Sequence, residues 1–336
     1  MGRIGTVIAL VLVVYSCYFP GSHTEITAAQ EAVITTALSG FDTAGIQSVI
    51  QYIDNRYGVW GARYATNSNI INYQNYLTGL FTSYGYTDIT LQQVQCNDPG
   101  YTSAPGPLYM NNIIVVKDGA GPPVVVIAHW DSVPNCPAID DNFSGCAGVL
   151  EIARLAYSLN FENRLVFILF GFEEESLLGS SLYADTMSER PKSVINLEMI
   201  GFTSPKENPY PGTDLLMGFP TTGDFVGVFA TDFSETLGLN FIYAVDTFVP
   251  DLKYYFMITD QNFGNNPLLS LLMRSDHTSF WEKKVPALLV TDTAELRDGA
   301  VYHQTSDNYL SFDPVFHERI TRAAFAALCI EAGIQP

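Results

Sequence analysis

Downstream of Asn112 the chain alternates between short runs in which nearly every position is apolar and longer segments whose apolar residues recur every three or four positions. NIIVV (112–116), VVVIA (124–128), RLVFILF (164–170), SVINL (193–197) and PALLVT (286–291) have the length and uniform apolarity of strands covered on both faces. TLQQVQ (90–95) predicts a further strand, and the Gly/Pro punctuation between 116 and 124 predicts a hairpin joining the runs on either side. Helical spacing is read at 144–159, 180–187 and from Asp313 to Gly333. Residues 48–84 predict two helices divided by RYGVWGARYATNS. Between them and the end, DLLMGF (214–219) predicts a strand and GDFVGVFATDFSETL (223–237) a helix, within aromatic-rich text from Tyr210 to Ser275 suited to a pocket wall. Continuous apolar strands alternating with amphipathic helices predict a three-layer α/β/α sandwich around a central mixed, mostly parallel sheet. No repeat or long linker interrupts it, so residues 25–336 read as a single catalytic domain.

The first 24 residues follow a different rule. Arg3 is followed by an uncharged run from Ile4 to Tyr15, too short for a comfortable membrane span but suited to the core of an export signal. The expectation is a signal peptide or lipoprotein signal over 1–24 and a secreted or periplasmic protein. VYSC offers Cys17 as a lipid attachment point, with Tyr15 a poor fit to that pattern. Four cysteines remain: Cys96 and Cys136 in loop-like text, favoured as a disulfide, and Cys146 and Cys329 in helix-like apolar runs, read as buried thiols.

Composition removes some classes of function. The formal net charge of −19 opposes a nucleic-acid or anionic-membrane partner, and no CxxC spacing supports a thiolate metal site. A monomer is expected.

The five histidines narrow the search for chemistry. His23 lies in the leader and His317 on what reads as the solvated face of the last helix. Neither HExxH nor GxSxG occurs. Acidic and imidazole residues do gather just past strand ends: His129 and Asp131 in HWDS, Asp140 and Asp141 in IDDNFSG, Glu173 to Glu175 in GFEEES, Glu198 after SVINL, and Tyr302, His303 and Asp307 in YHQTSD. Ligands of open α/β sheets bind beyond the carboxyl ends of the strands. So many carboxylates at one edge are costly unless cations sit among them, and mixed His nitrogen and carboxylate oxygen suits catalytic zinc.

AHWDS, IDDNFSG, FEEESLLGS, VINLEMIG, RSDHTSFW and YHQTSDN resemble the successive motifs of the two-zinc aminopeptidases related to bacterial leucyl aminopeptidase and aminopeptidase Y. The resemblance runs from about Asn112 to Asp313. It implies two Zn2+ ions, one held by His129 and Glu198, the other by Glu174 and His303, with Asp141 bridging. It further implies Glu173 as general base, Asp131 behind His129, and Arg274 and Tyr302 as hydrogen-bonding partners of the tetrahedral intermediate. The substrate is then a peptide with a free N-terminus. Many relatives carry Asp where Glu198 stands. Glu175 is expected to be solvated or behind the ligands, and Asp276 and His277 to hold the loop presenting Arg274. Asn142 lies in an N-F-S sequon, inside the site. Phe256, Met257, Ile258 and Phe263 are candidates for an apolar pocket favouring Leu, Phe or Met. The rival readings are a glutaminyl-peptide cyclotransferase, which carries Trp where Tyr302 stands, and a carboxypeptidase or dipeptidase, for which Arg274 is the candidate carboxylate partner.

Overall fold

The computed structural model describes residues 22–58, 63, 68–97, 107–207, 220, 222–259, 269–292 and 301–336. Residues 1–21 of the leader, Cys17 among them, the strand expected at 214–219 and Phe263 lie outside them.

The molecule is organised by an eight-stranded sheet in the order β1 (Ile89–Cys96), β2 (Leu108–Lys117), β4 (Asn163–Phe170), β3 (Gly121–His129), β5 (Ser193–Leu197), β10 (Ala287–Thr291), β8 (Val226–Thr231) and β9 (Tyr254–Thr259). A separate two-stranded ribbon joins β6 (Ser204–Glu207) and β7 (Thr222–Gly223). Strands β4, β3, β5 and β10 run parallel, and β1, β2 and β8 enter antiparallel to their inner neighbours. The mixed, mostly parallel sandwich is therefore the observed architecture.

Two local expectations are corrected. Residues 112–116 and 124–128 are not a hairpin, because β4 lies between β2 and β3. The reason is burial: Val124 to Ala128 are all fully buried, so β3 needs a strand on each side and takes β4 and β5. The segment 223–237 is not one helix. Its VGVFAT is β8, buried along its whole length, and the helix α6 (Glu235–Phe248) begins only afterwards.

Alternation along the strands divides the interior. Val124, Val126 and Ala128 face the larger core, beneath α4 (Gly145–Ala156) and α8 (Pro314–Ala332). Val125 and Ile127 face a smaller one, where Phe280 and Trp281 of α7 (His277–Glu282) and, at its margin, Tyr183 of α5 (Leu178–Thr186) pack. Three N-terminal helices, α1 (Ala28–Ser39), α2 (Thr43–Tyr57) and α3 (Ile70–Ser83), extend the larger core. α8 starts as its sequence directs: Asp313 accepts from the N–H groups of Val315 and Phe316, Pro314 occupies the first turn, and Gly333 ends it at φ +67°. His317 does not sit on a solvated face. It is buried, with Nε2 2.9 Å from the Ser144 carbonyl, because α8 is enclosed on nearly all sides.

All four described cysteines are buried, and Cys136 is a free thiol, so the expected Cys96–Cys136 bridge is not formed. Cys136 Sγ is instead 3.2 Å from the Gln304 carbonyl, in the loop that carries His303. At the other end of the chain, the Thr24 N–H donates to buried Asn240 at 2.6 Å, so the folded unit includes residue 24.

Candidate active site

Four parallel strands deliver the site. His129 is the last residue of β3, Glu173 and Glu174 follow β4, Glu198 follows β5, and Tyr302 and His303 lie beyond β10. Asp141 comes from the turn between β3 and α4. Several residues around this rim adopt positive φ: Ala138 (55°), Phe172 (59°), Leu177 (59°), Met199 (50°) and His303 (55°). Such backbone persists only where the surroundings fix it, and it turns each loop sharply enough to aim side chains back over the strand ends.

The five ligand positions read from the sequence converge. Asp141 stands between the histidines, with Oδ1 3.3 Å from His129 Nε2 and Oδ2 3.2 Å from His303 Nε2. Glu198 Oε1 lies 3.4 Å from the same His129 nitrogen, and Glu174 Oε2 3.2 Å from His303 Nε2. Donor atoms of His129, Glu173 and Glu198 lie within 4.8 Å of one another, as do those of Asp141, Glu174 and His303. Glu173 Oε2 is 3.9 Å from His129 Nε2, so the expected base stands beside the first of these groups.

These residues fit a pair of zinc ions. The donors are imidazole nitrogen and carboxylate oxygen without thiolate, the composition of catalytic rather than structural zinc sites. The Nε2 of His303 and Oε1 of Glu174 are buried without a hydrogen-bond partner, a cost that a bound cation would remove.

Electrostatics reflects the crowding. Burial alone would lower the His129 imidazole, but Glu198 and Glu173 hold it well above its usual range. Burial likewise opposes protonation of His303, which Asp141 and Glu174 nonetheless raise to about 10. Burial pushes Glu174 up to about 7, with the Asp141 charge adding to it, and lifts Glu173 well above the carboxylate range. Asp141 goes the other way: despite burial, the imidazoles of His129 and His303 close beside it hold it low.

Supporting contacts orient the set. Asp131 lies 3.4 Å from His129 Nδ1, and its two oxygens accept the N–H groups of Glu173 and Glu174, each at 3.2 Å. Asn142 is saturated. Its amide donates to the Leu197 carbonyl (2.9 Å) and to Glu198 Oε2 (3.1 Å), and its oxygen accepts from the N–H groups of Gly145 and Met199 (3.0 Å each). Sequence reasoning saw in Asn142 only a sequon, and it missed Ser275, which donates to Glu198 Oε2 at 2.7 Å. The available signal was position, since both lie one or two residues from a flagged side chain. Asp276 and His277 lie behind this loop, fully buried, with His277 Nε2 2.7 Å from the Leu272 carbonyl. Glu175 is buried rather than solvated.

The edge carrying these candidate ligands opens into a cavity of about 420 Å³. Arg274 and Tyr302 line it, with Arg274 Nη2 donating to the Tyr302 hydroxyl at 3.0 Å and the Tyr302 ring stacked 3.8 Å from that of His303. The apolar wall differs from expectation. Phe229, Leu272 and Leu289 line the cavity, and of the described members of the predicted set only Met257 packs with them. Phe256 and Ile258, on the opposite face of β9, pack against the larger core.

A family model described as peptidase family M28 matches residues 112–328, the span that carries every candidate ligand. The chain belongs to peptidase family M28. It is thereby a hydrolase with metallo-exopeptidase relatives. This M28 peptidase is 29% identical over 254 residues to the uncharacterized protein YfbL of Escherichia coli, covering 71% of the chain and 73% of that protein. It is 46% identical over 82 residues to aminopeptidase YwaD of Bacillus subtilis, but that match covers only 23% of the chain and 18% of YwaD. Among solved structures it resembles the LapA aminopeptidase of Legionella pneumophila, with TM-score 0.68, 20% identity and coverage of 95% of this chain and 79% of that one. For BSAP, a zinc aminopeptidase from Bacillus subtilis, the values are 0.67, 17%, 85% and 94%. A glutaminyl cyclase of Porphyromonas gingivalis shares the fold at TM-score 0.62 and 16% identity, covering 86% and 98%.

Proposed function

We propose that this M28 peptidase is an aminopeptidase that uses two zinc ions and favours apolar residues at the substrate N-terminus. The observation that carries the reading is the single Asp141 carboxylate held between two imidazoles, each of which also faces a second carboxylate. His129, Glu198 and Asp141 would hold one ion, and Glu174, His303 and Asp141 the other. When bound, the ions supply Lewis acidity and a water that deprotonates near neutral pH.

The rest follows from the side chains. Glu173 is buried at the edge of the metal-binding groups, and its raised proton affinity suits a group that takes a proton from water and returns it to the leaving amine. The Tyr302 hydroxyl, fixed by Arg274, faces the cavity where an oxyanion would develop, and donors placed in advance stabilise such charge strongly. The carboxylates lining the cleft favour the cationic α-amine of a peptide over a C-terminal carboxylate. Phe229, Leu272 and Leu289 give the first side chain an apolar surface.

Glu173→Gln tests the mechanism: kcat is expected to fall by about 10²- to 10⁴-fold with zinc content unchanged, and near-normal turnover would remove Glu173 from the base role. A panel of aminoacyl-p-nitroanilides tests the substrate, with Leu, Phe and Met expected ahead of Asp and Lys. Cyclisation of N-terminal glutamine without peptide hydrolysis would replace the aminopeptidase reading by the cyclotransferase one. The apolar run behind Arg3 supports export to a compartment where such peptides occur.

A further inference from the structure

Arg63 is a fully buried arginine with no part in the metal-binding groups, and it comes from a stretch of sequence without catalytic motifs. Its guanidinium lies 5.8 Å from the ring centres of both Tyr73 and Phe143, and Nη2 donates to the carbonyls of Pro137 and Ala138. A buried cation is costly unless it is matched by something equally specific. What its Nη2 meets is the backbone leading into Asp141.

Asp307, also fully buried, grips the same backbone from the other side. Its carbonyl accepts the N–H of Ile139 at 3.3 Å, and its carboxylate accepts the N–H groups of Asp140 (2.6 Å) and Asp141 (3.0 Å). The five consecutive residues 137–141 are therefore tied by alternate means: two carbonyls to Arg63, then three N–H groups to Asp307. Ala138, in the middle of this run, has φ +55°. Asp307 stands four residues after His303, so one short segment both presents an imidazole to Asp141 and fixes the backbone that carries Asp141.

We propose that Arg63 and Asp307 form a clamp that sets the position of the Asp141 carboxylate between His129 and His303, and thereby the affinity of the site for its metal ions. This rests on the two-metal reading above. Both are positioning residues, since neither touches the reacting atoms. Removing either side of the clamp frees part of the run, and Asp141 then spends less time where both imidazoles can share a cation with it.

The test is zinc affinity of the full chain by chelator competition, alongside melting of the zinc-free and zinc-loaded protein, for Asp307→Asn, Arg63→Lys and Arg63→Met. Asp307→Asn leaves one acceptor for two N–H groups, and Arg63→Lys keeps the charge but ends one bond short of the Nη2 nitrogen that serves both carbonyls. Both are expected to weaken zinc binding about 10- to 100-fold and to shrink the rise in Tm on adding zinc. Arg63→Met should do so at least as strongly; if it does not fold, the other two variants decide. Wild type binding two zinc ions while Asp307→Asn and Arg63→Lys bind them within about twofold as tightly, with zinc-free and zinc-loaded melting lowered equally, would overturn the clamp alone. Wild type binding no zinc would overturn the metal reading and the clamp with it.

Discussion

The two halves of the centre are made of different chain. His129 ends a central strand, is 1% exposed, and faces a Glu198 whose outer oxygen is held by Ser275 and Asn142. His303 sits in a loop at positive φ, is 24% exposed, and faces a Glu174 with one buried oxygen unpartnered. One half is set by the sheet and its hydrogen bonds; the other depends on loops and would be completed by a bound cation. Affinity and exchange should therefore differ across a site whose donors are nearly symmetric.

The largest expected effect is loss of a ligand. His129→Ala should weaken zinc binding at its own half by at least about 100-fold and loosen the other through Asp141, whereas His303→Ala should leave one zinc bound. Metal content after dialysis reports both, and retention of a single zinc by both variants alike would break the comparison. In the wild type, a chelator should strip the two ions in separate steps about tenfold apart, the His303 half first. A single step with equal affinities would show that exposure and loop position do not matter here. Glu198→Asp shortens the ligand by one methylene, so it cannot keep both donors on its outer oxygen and still reach the His129 side. A loss of about tenfold in zinc affinity confined to that half is expected, and unchanged affinity would show that the Ser275 and Asn142 contacts do not fix it.

The smallest effect separates the imidazoles of the centre from those outside it. Burial lowers His317 to about 4 and His277 to about 3, whereas carboxylates raise His129 and His303. Between the unfolded value near 6.5 and about 4, the unfolded chain carries a proton on His317 that the folded chain does not. Stability is therefore lost as pH is lowered through that window, by up to about 1.4 kcal/mol per pH unit from this residue. His317→Gln keeps a donor for the Ser144 carbonyl and should flatten the decline in urea midpoint of the zinc-loaded protein between pH 6.5 and 5. An equally steep decline would assign it to other groups.

The ligands were legible because strand-end chemistry is local: an apolar run followed at once by His, Asp or Glu needs no tertiary information. What decided the misreadings was tertiary. VGVFAT is too short and too apolar for periodicity to tell a strand from a helix, and only pairing with β9 and β10 settles it. α1 escaped notice because Ile34 and Leu38 are its buried residues, too few for a visible stripe. The polar face expected around His317 is buried by neighbouring elements, and Met257 parts from Phe256 and Ile258 because a strand sends successive side chains to opposite faces. Arg63 carried no sign at all, since its partners are main-chain carbonyls.

The place of β4 between β2 and β3 has a consequence for how the molecule is made. The strand that ends in His129 cannot pair with the strand preceding it, and its neighbours, β4 and β5, are both synthesised later. His303 must then return from far along the chain to meet Asp141. Closure over such separations is slow and comes late, so the nascent chain has no assembled catalytic centre until nearly all of it has been made. A peptide-cutting activity built this way arises only once the chain is nearly complete.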